Sequence, residues 1–198
     1  MTASPSEAPT LEEYGASVAA VAGGEATVQF GTVKVKVRRD QWKDSLEKAR
    51  DKSGLLFFSW LSAIDWSNQV EVGDPLTDEI EERIELMAAV GDLDEGRLVI
   101  FATDLAKESL TIDSLTTVYA GADWHEREAH EMFGIEFVGH PGLEPLYLPD
   151  GFEGHPLRKS FPLLSREVKP WPGKVDVEGM PGTGDSAPDE PSTENPEA

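Results

Sequence analysis

Three of the four histidines lie close together in the chain, among several glutamates. His125, Glu126 and His130 fall in one helical stretch, and imidazole and carboxylate groups are common zinc ligands. On a helix, however, His125 and His130 stand about 140° apart around the axis, so they cannot share a metal ion. Glu126 and His130 do share a face, but two ligands bind a metal weakly. A small metal-dependent hydrolase built on these three residues is kept only as an alternative.

Other catalytic groups are missing from the sequence. The chain has no cysteine, which excludes disulfides, thiol catalysis, thiolate zinc sites and cysteine-held iron–sulfur clusters. Glu126 and Glu128 cannot work as an acid–base pair, because helix residues two apart point in nearly opposite directions. The sequence also lacks a glycine-rich phosphate loop after a strand and a serine-centred nucleophile motif. We therefore expect a chain with no catalytic residue, metal or cofactor of its own.

Two Gly-His-Pro triplets are the second unusual feature, at residues 139–141 and 154–156. Each joins a flexible residue, a titratable ring and a fixed φ, which predicts a rigid turn that presents its imidazole outward. The second triplet runs directly into Leu157-Arg158-Lys159, a basic contact in an acidic protein, and we interpret it as a docking turn. Arg127 is expected to pair with Glu131, four residues further on, or with a carboxylate of a partner.

Composition limits the class of protein. The chain has 17 basic and 38 acidic residues, a formal charge of −21, and a pI of about 4.4, so nucleic acid would be repelled. Its 198 residues, 39% of them hydrophobic, suffice for one domain with a closed core. No apolar run reaches the roughly 18 to 20 residues of a membrane span, and the N-terminus is acidic where a signal peptide is basic. We expect a soluble, cytoplasmic chain without a membrane span.

The first half of the chain alternates between helix and strand patterns. Residues 11–21 predict a short helix, and residues 26–38 alternate as one half-buried strand. Asp40 is expected to cap a helix that ends at Gly54 and packs one apolar stripe on the sheet. Residues 55–64 form a continuous apolar run, which is typical of a central strand covered on both faces.

The second half begins with an ambiguous segment. Residues 77–90 suit a helix or a strand, but the Gly/Asp-rich turn at 91–96 favours a hairpin with the strand at 98–103. Residues 109–112 predict a short strand, and Asp113-Ser114 can cap a turn that reaches Tyr119. A helix is predicted at 123–133, with Asp123 at its cap and Gly134 at its end.

Regular structure is expected to end at residue 138. Residues 139–172 contain seven prolines, which excludes a helix or a central strand. The Leu, Tyr, Phe and Trp side chains of this arm must be buried either on another protein or on the chain's own domain, and both alternatives stay open. Residues 1–10 and 173–198 contain too few apolar residues to offset the conformational entropy lost on ordering, and they are predicted to be disordered tails.

The sequence from Trp124 to Phe137, with the Gly-His-Pro that follows it, resembles the signature of the C subunit of respiratory complex I, the 30 kDa subunit family of proton-pumping NADH:quinone oxidoreductases. Residues 153–159 resemble the second signature of that family, and the order and spacing of the two blocks match. Residues 114–119 and the Ala63-Ile64-Asp65-Trp66 segment resemble further family features. The chain departs from the family at Glu144-Pro145, where a basic pair is common, and at Ser160-Phe161, where Asp-Tyr is usual.

The resemblance implies an α/β (α+β) fold: a two-layer core domain at 11–138 with a mixed β-sheet packed by helices, followed by an extended proline-rich arm. It implies a non-catalytic, cofactor-free protein that docks on the quinone-site subunit of the complex, its D subunit, beside iron–sulfur subunits. Such a protein is peripheral, on the cytoplasmic side of the cell membrane, and FMN and the iron–sulfur clusters belong to its partners. The equivalent subunit of a membrane-bound hydrogenase or related dehydrogenase is the alternative.

We therefore predict that the two signature segments form the contact surface for the quinone-site subunit. Arg127, His140, His155, Arg158 and Lys159 are its expected polar anchors. The full predicted surface comprises His125, Glu126, Arg127, Glu128, Gly139, His140, Pro141, Glu153, Gly154, His155, Pro156, Leu157, Arg158 and Lys159.

Overall fold

The structure is a computed structural model, and it describes residues 9–68 and 80–162. The predictions for residues 1–8, for the start of the strand at 77–79 and for the chain after residue 162 lie outside these ranges. The described residues form a mixed sheet packed by helices, which confirms the predicted fold class. The helices are α1 (Leu11–Ala22), α2 (Trp42–Ser53) and α3 (Ala122–Phe133).

The main sheet has five strands in the order β1-β2-β5-β4-β3. Strands β2 and β5 run parallel, and the other neighbours are antiparallel. The strands are β1 (Glu25–Gln29), β2 (Thr32–Lys36), β3 (Phe57–Trp66), β4 (Arg83–Asp92) and β5 (Arg97–Leu105). A second, two-stranded parallel sheet joins β6 (Thr111–Asp113) to β7 (Glu136–Val138), so the residues just after α3 return beside the short strand that precedes it.

The single strand predicted at 26–38 is wrong, because this segment is a hairpin of β1 and β2. Phe30 and Gly31 form its turn with φ of 51° and 73°. Ala26 and Val28 pair with Val35 and Val33, so all four side chains lie on one face of the sheet. The apolar positions therefore change from even to odd numbers across the turn, and one uninterrupted strand cannot produce that change.

The central strand predicted at 55–64 is also wrong, since β3 lies at the edge of the sheet. One face of β3 buries Leu61 and Ala63 in the core beside α3, while Trp60 is only partly buried and Ile64 is exposed on the other face. An apolar residue on the open face makes the run continuous without a second covering layer. The central strands are β4 and β5, the two arms of the predicted hairpin, which is confirmed.

The three helices share the core with one face of the sheet. The predicted apolar stripe of α2 is buried, and Gly54 ends this helix in the left-handed conformation, as expected. Asp40 does not cap α2, because it sits in a short 3-10 turn before the helix and pairs with Arg38. The largest fully buried apolar side chains of this core are Trp42, Phe101, Leu46, Leu55, Leu61, Ile84, Leu86, Leu105, Leu115 and Ile135.

Helix α3 packs against β3 and begins one residue earlier than predicted. Gly121 occupies its N-cap position, and Asp123 lies in its first turn without capping it. Its end at Gly134, with φ of 72°, is as predicted. In the turn before the helix, Ser114 rather than Asp113 supplies the side-chain bond, by accepting from the Thr116 N–H at 3.1 Å.

Candidate functional site

The two signature segments meet at α3, with residues 139–162 laid along the helix without a helix or strand of their own. The first Gly-His-Pro turn lies at the start of α3, and the second lies at its end. The described part of the arm therefore lies on its own domain, but none of its residues is fully buried in both backbone and side chain, and Tyr147, Phe152 and Leu157 remain exposed. We call the outer surface formed by α3 and residues 139–162 the α3–arm surface.

His140 is fully enclosed, with no exposed side-chain surface, so the predicted outward imidazole is wrong for this turn. Its Nδ1 accepts a hydrogen bond from the Gly142 N–H at 3.0 Å. The proton of the neutral ring must then sit on Nε2, which lies 3.2 Å from the Asp123 carbonyl oxygen and 3.1 Å from its carboxylate. Nδ1 thus shapes the turn within the arm, and Nε2 fixes that turn on the first turn of α3.

Arg127 and Glu131 bind the arm rather than each other. The Arg127 Nε and Nη2 groups donate to the carbonyl oxygens of Glu144 and Pro145, each at 3.0 Å. The Glu131 carboxylate accepts from three successive backbone N–H groups, those of Leu146 at 3.3 Å, Tyr147 at 2.9 Å and Leu148 at 2.8 Å. Desolvation opposes its charge, but the three donors and Arg127 outweigh it and hold the pKa of Glu131 below its ordinary value.

The second signature caps the C-terminal end of α3, where helix carbonyl groups have no partner within the helix. Arg158 and His155 also bring positive or polar donors to the negative end of the helix dipole. Three groups of this segment donate to three successive helix carbonyls: His155 Nδ1 to Glu131 at 2.9 Å, Leu157 N–H to Met132 at 3.2 Å and Arg158 Nε to Phe133 at 2.6 Å.

Gly134 makes this cap possible. Its φ of 72° suits glycine, and a Cβ at this position would lie against Arg158 Nη2 and 2.5 Å from His155 Nε2. A side chain at residue 134 would therefore have to displace the Arg158 guanidinium and the His155 ring, the two side chains that cap the helix end.

The end of the described arm is tied to the last residues of the sheet edge. The Lys159 N–H donates to Asp65 Oδ2 at 2.9 Å, and its Nζ donates to the Ser67 carbonyl at 3.0 Å. The Ser67 hydroxyl occupies the other oxygen of Asp65. Lys159 and Arg158, both predicted to anchor a partner, thus have polar partners within their own domain.

Glu126, a predicted contact residue, lies inside the domain with none of its surface exposed. Its carboxyl oxygens accept from the Ser114 hydroxyl and the Leu115 N–H, both at 2.6 Å, and so join α3 to residues 114–119. Burial raises the pKa of Glu126 to about 7 in spite of these two bonds. The residue positions α3 and does not reach the surface.

The three residues of the hydrolase alternative face different neighbours. The His125 ring packs edge-on against Phe58, with 5.6 Å between ring centroids. His130 Nδ1 donates to the Ile135 carbonyl at 2.8 Å, while Glu126 faces Ser114. Within residues 9–68 and 80–162, no three His, Asp or Glu side chains come together as a metal site.

The large apolar side chains exposed on the α3–arm surface are Trp124, Tyr147, Phe152 and Leu157, of which only Leu157 belongs to the predicted contact surface. Trp124 is 61% exposed and stacks on the Arg127 guanidinium, whose carbon lies 5.1 Å from the ring centroid. Tyr147 is 63% exposed and belongs to the segment that Glu131 holds. The available signal was a tryptophan on the polar side of an amphipathic helix, opposite the buried Ala122, Glu126 and Ala129.

Gly134→Ala is expected to destabilise the chain by about 2 kcal/mol more than Gly139→Ala. Both glycines have similar positive φ, of 72° and 84°, but a Cβ at Gly139 would meet no atom within 4 Å. Comparing the urea unfolding of the two variants separates the destabilisation caused by placing alanine at a positive φ from that caused by losing the helix cap. Equal losses in both variants would refute the role given to the second signature.

Glu126 is expected to make the chain less stable as pH rises. The pKa of Glu126 is raised from 4.5 to about 7 in the folded chain. Its contribution to the free energy of unfolding is therefore fully present below pH 4.5 and is lost as pH rises through 7, a change of roughly 3 kcal/mol. Glu126→Gln should therefore flatten the dependence of the unfolding free energy on pH between 5 and 8. The control Glu128→Gln should keep the wild-type slope; a wild-type slope in Glu126→Gln would contradict the assignment.

The sequence pattern of the family described as respiratory-chain NADH dehydrogenase, 30 Kd subunit, matches residues 35–167. The NADH-quinone oxidoreductase C subunit of Citrifermentans bemidjiense is 30% identical over 151 residues, which cover 76% of this chain and 87% of that protein. The NADH-quinone oxidoreductase C/D subunit of Cronobacter sakazakii is 39% identical over 79 residues, which cover 40% of this chain and 13% of that protein.

A chain in the solved structure of a membrane-bound sulfane sulfur reductase, an archaeal respiratory membrane complex, shares the fold. Its TM-score is 0.54 at 20% identity, over 71% of this chain and 77% of that chain. In the part of the chain that the structure describes, no helix is both long and apolar enough to cross a membrane. The match over residues 35–167 and the identity to the C. bemidjiense protein show that this chain belongs to the 30 kDa subunit family, that of the NADH-quinone oxidoreductase C subunit.

Proposed function

We propose that the chain is a non-catalytic, cofactor-free component of a proton-translocating NADH:quinone oxidoreductase and docks on its quinone-site subunit through the α3–arm surface. Neighbouring iron–sulfur subunits are its other partners, and FMN and the clusters are held by those partners. The chain is peripheral, on the cytoplasmic side of the membrane. The observation that carries the proposal is the pair of exposed aromatic residues, Trp124 and Tyr147, held on a hydrogen-bonded scaffold.

Exposed tryptophan and tyrosine side chains are the residues that most often supply binding energy at protein interfaces. Trp124 stands on a regular helix, and the backbone of Tyr147 is fixed by Glu131. Because both backbones are already ordered, a partner gains their contact area with little further loss of conformational entropy. This arrangement suits a docking surface that is prepared before the partner arrives.

The internal use of the polar residues supports a role without catalysis. His130, His140 and His155 each bind a backbone carbonyl of their own domain, and Glu126 and Glu131 hold neighbouring segments. Groups engaged in this way are structural, because a general base must be able to reach a substrate proton. The chain also lacks cysteine, the usual ligand of iron–sulfur clusters.

The relative whose name joins C and D supports the quinone-site D subunit as the partner, since the matched portion makes up 13% of that longer protein. The equivalent subunit of a membrane-bound hydrogenase or related dehydrogenase stays the second candidate. The fold that this chain shares with a chain of the archaeal sulfane sulfur reductase complex favours keeping this alternative. It would retain the docking role and change only the electron donor.

The double variant Trp124→Ala/Tyr147→Ala is expected to bind the quinone-site subunit of the same organism at least tenfold more weakly, since each anchor contributes about 1 kcal/mol or more. Co-purification and titration of the two proteins measure the affinity, and quinone reductase activity of the assembled complex should fall with it. Phe30→Ala is the matched control, because Phe30 is fully exposed in the β1–β2 turn.

Both variants should unfold at nearly the same urea concentration as the parent chain. The loss of affinity would then come from the missing side-chain contacts and not from unfolding. Unchanged affinity of the double variant for the quinone-site subunit would rule out the α3–arm surface as the docking site. Arg158→Ala is a poorer probe of contact, because the guanidinium caps α3 and its removal loosens the arm itself.

A further inference from the structure

A second apolar surface lies away from α3, where the end of α2, the start of β3 and the β4–β5 turn meet. It is a cleft of about 300 Å³ lined by Gly54, Leu56, Phe57, Asp92, Leu93 and Asp94. Leu56 is 72% exposed and Leu93 is 70% exposed, and the adjoining Phe57 is exposed as well. We call this surface the hairpin cleft.

The apolar surface of the hairpin cleft continues across the sheet. Phe57 stands opposite Gly91 on the neighbouring strand, and Gly91 stands opposite the exposed Leu98 on the next. A Cβ at Gly91 would lie 2.8 Å from the Arg97 carbonyl oxygen and 3.5 Å from Leu98 Cδ1. Residue 91 must therefore be small, and its missing side chain lets Leu98 pack over the backbone of β4. Three exposed apolar residues, Leu56, Phe57 and Leu93, thus line one cleft, and Leu98 adds apolar surface two strands away, a grouping that single scattered residues do not show.

The rim of the hairpin cleft carries negative charge without a counterion. Asp92 and Asp94 form no ion pair with any residue in the ranges 9–68 and 80–162. One oxygen of Asp92 accepts from the N–H groups of Asp94 and Glu95, which fixes this carboxylate at the rim. The nearby Arg97 pairs with Glu95 at 3.6 Å and stacks on Tyr14.

We propose that the hairpin cleft binds a segment of a partner protein of the complex that presents one or two large apolar side chains flanked by lysine or arginine. The apolar part fills the cleft beside Leu56 and Leu93, and the basic part neutralises Asp92 and Asp94. A second copy of the chain is a poor occupant, because its formal charge of −21 would repel the acidic rim. The inference rests on the role in a complex proposed above but uses residues outside the α3–arm surface.

Photocrosslinking in the assembled complex tests this inference. A benzophenone amino acid placed at residue 93 should crosslink to a segment of another subunit that carries an aliphatic or aromatic residue within a few positions of Lys or Arg. The same amino acid at residue 30, in the exposed β1–β2 turn, should not reach that segment. A crosslink from residue 93 to its own chain, to a second copy or to an acidic segment overturns the proposal, as does the absence of any crosslink.

A charge exchange provides the second measurement. Asp94→Lys should weaken the binding of the mapped partner at least fivefold at low salt, and replacing the crosslinked Lys or Arg by Glu should restore most of it. Leu56→Ser/Leu93→Ser should weaken it about tenfold, whereas Phe30→Ser should not. No loss in either cleft variant overturns the proposal. Because the proposed docking on the quinone-site subunit is tested at Trp124 and Tyr147, failure of one proposal leaves the other measurable.

Discussion

The structure depends on how the carbonyl groups at the end of α3 are satisfied. A helix leaves its last four carbonyls without internal partners, and burying them unpaired would be costly. Here the Gly134 N–H donates to the first of these carbonyls, and groups of His155, Leu157 and Arg158 donate to the next three. A segment without regular structure is thereby held against the helix, because its donors complete a hydrogen-bond pattern that the helix cannot close alone.

The rest of the arm repeats this principle along the helix. The prolines prevent the arm backbone from forming the hydrogen bonds of a helix or sheet, so Arg127 donates to its carbonyl groups and Glu131 accepts from its N–H groups. His140 binds the arm to the N-terminal end of α3. These polar signature residues therefore form their hydrogen bonds within the domain, and the most exposed large apolar side chains of the outer surface are Trp124 and Tyr147. A partner would contact aromatic groups whose backbones the buried polar network has already fixed.

Several elements could be predicted because their signals are local. The apolar stripe of α2, the glycine ends of α2 and α3 and the β4–β5 hairpin follow from spacing and turn chemistry within a few residues. The misplaced elements needed information from elsewhere in the chain. The position of β3 at the sheet edge depends on strand order, which an apolar run does not encode. The β1–β2 turn was missed, although the change of apolar positions from even to odd residue numbers marked it.

The sequence by itself determined the family resemblance, the lack of cysteine chemistry and the mixed α/β composition, because these depend on residue types and short spacings. Only the tertiary structure decided which polar residues face inward. Glu126 and His140 look like surface groups in a charged helix and a turn, yet both are enclosed by segments distant in sequence. Burial depends on which distant segments pack over a residue, and hydrogen bonds to those segments offset the cost of desolvation.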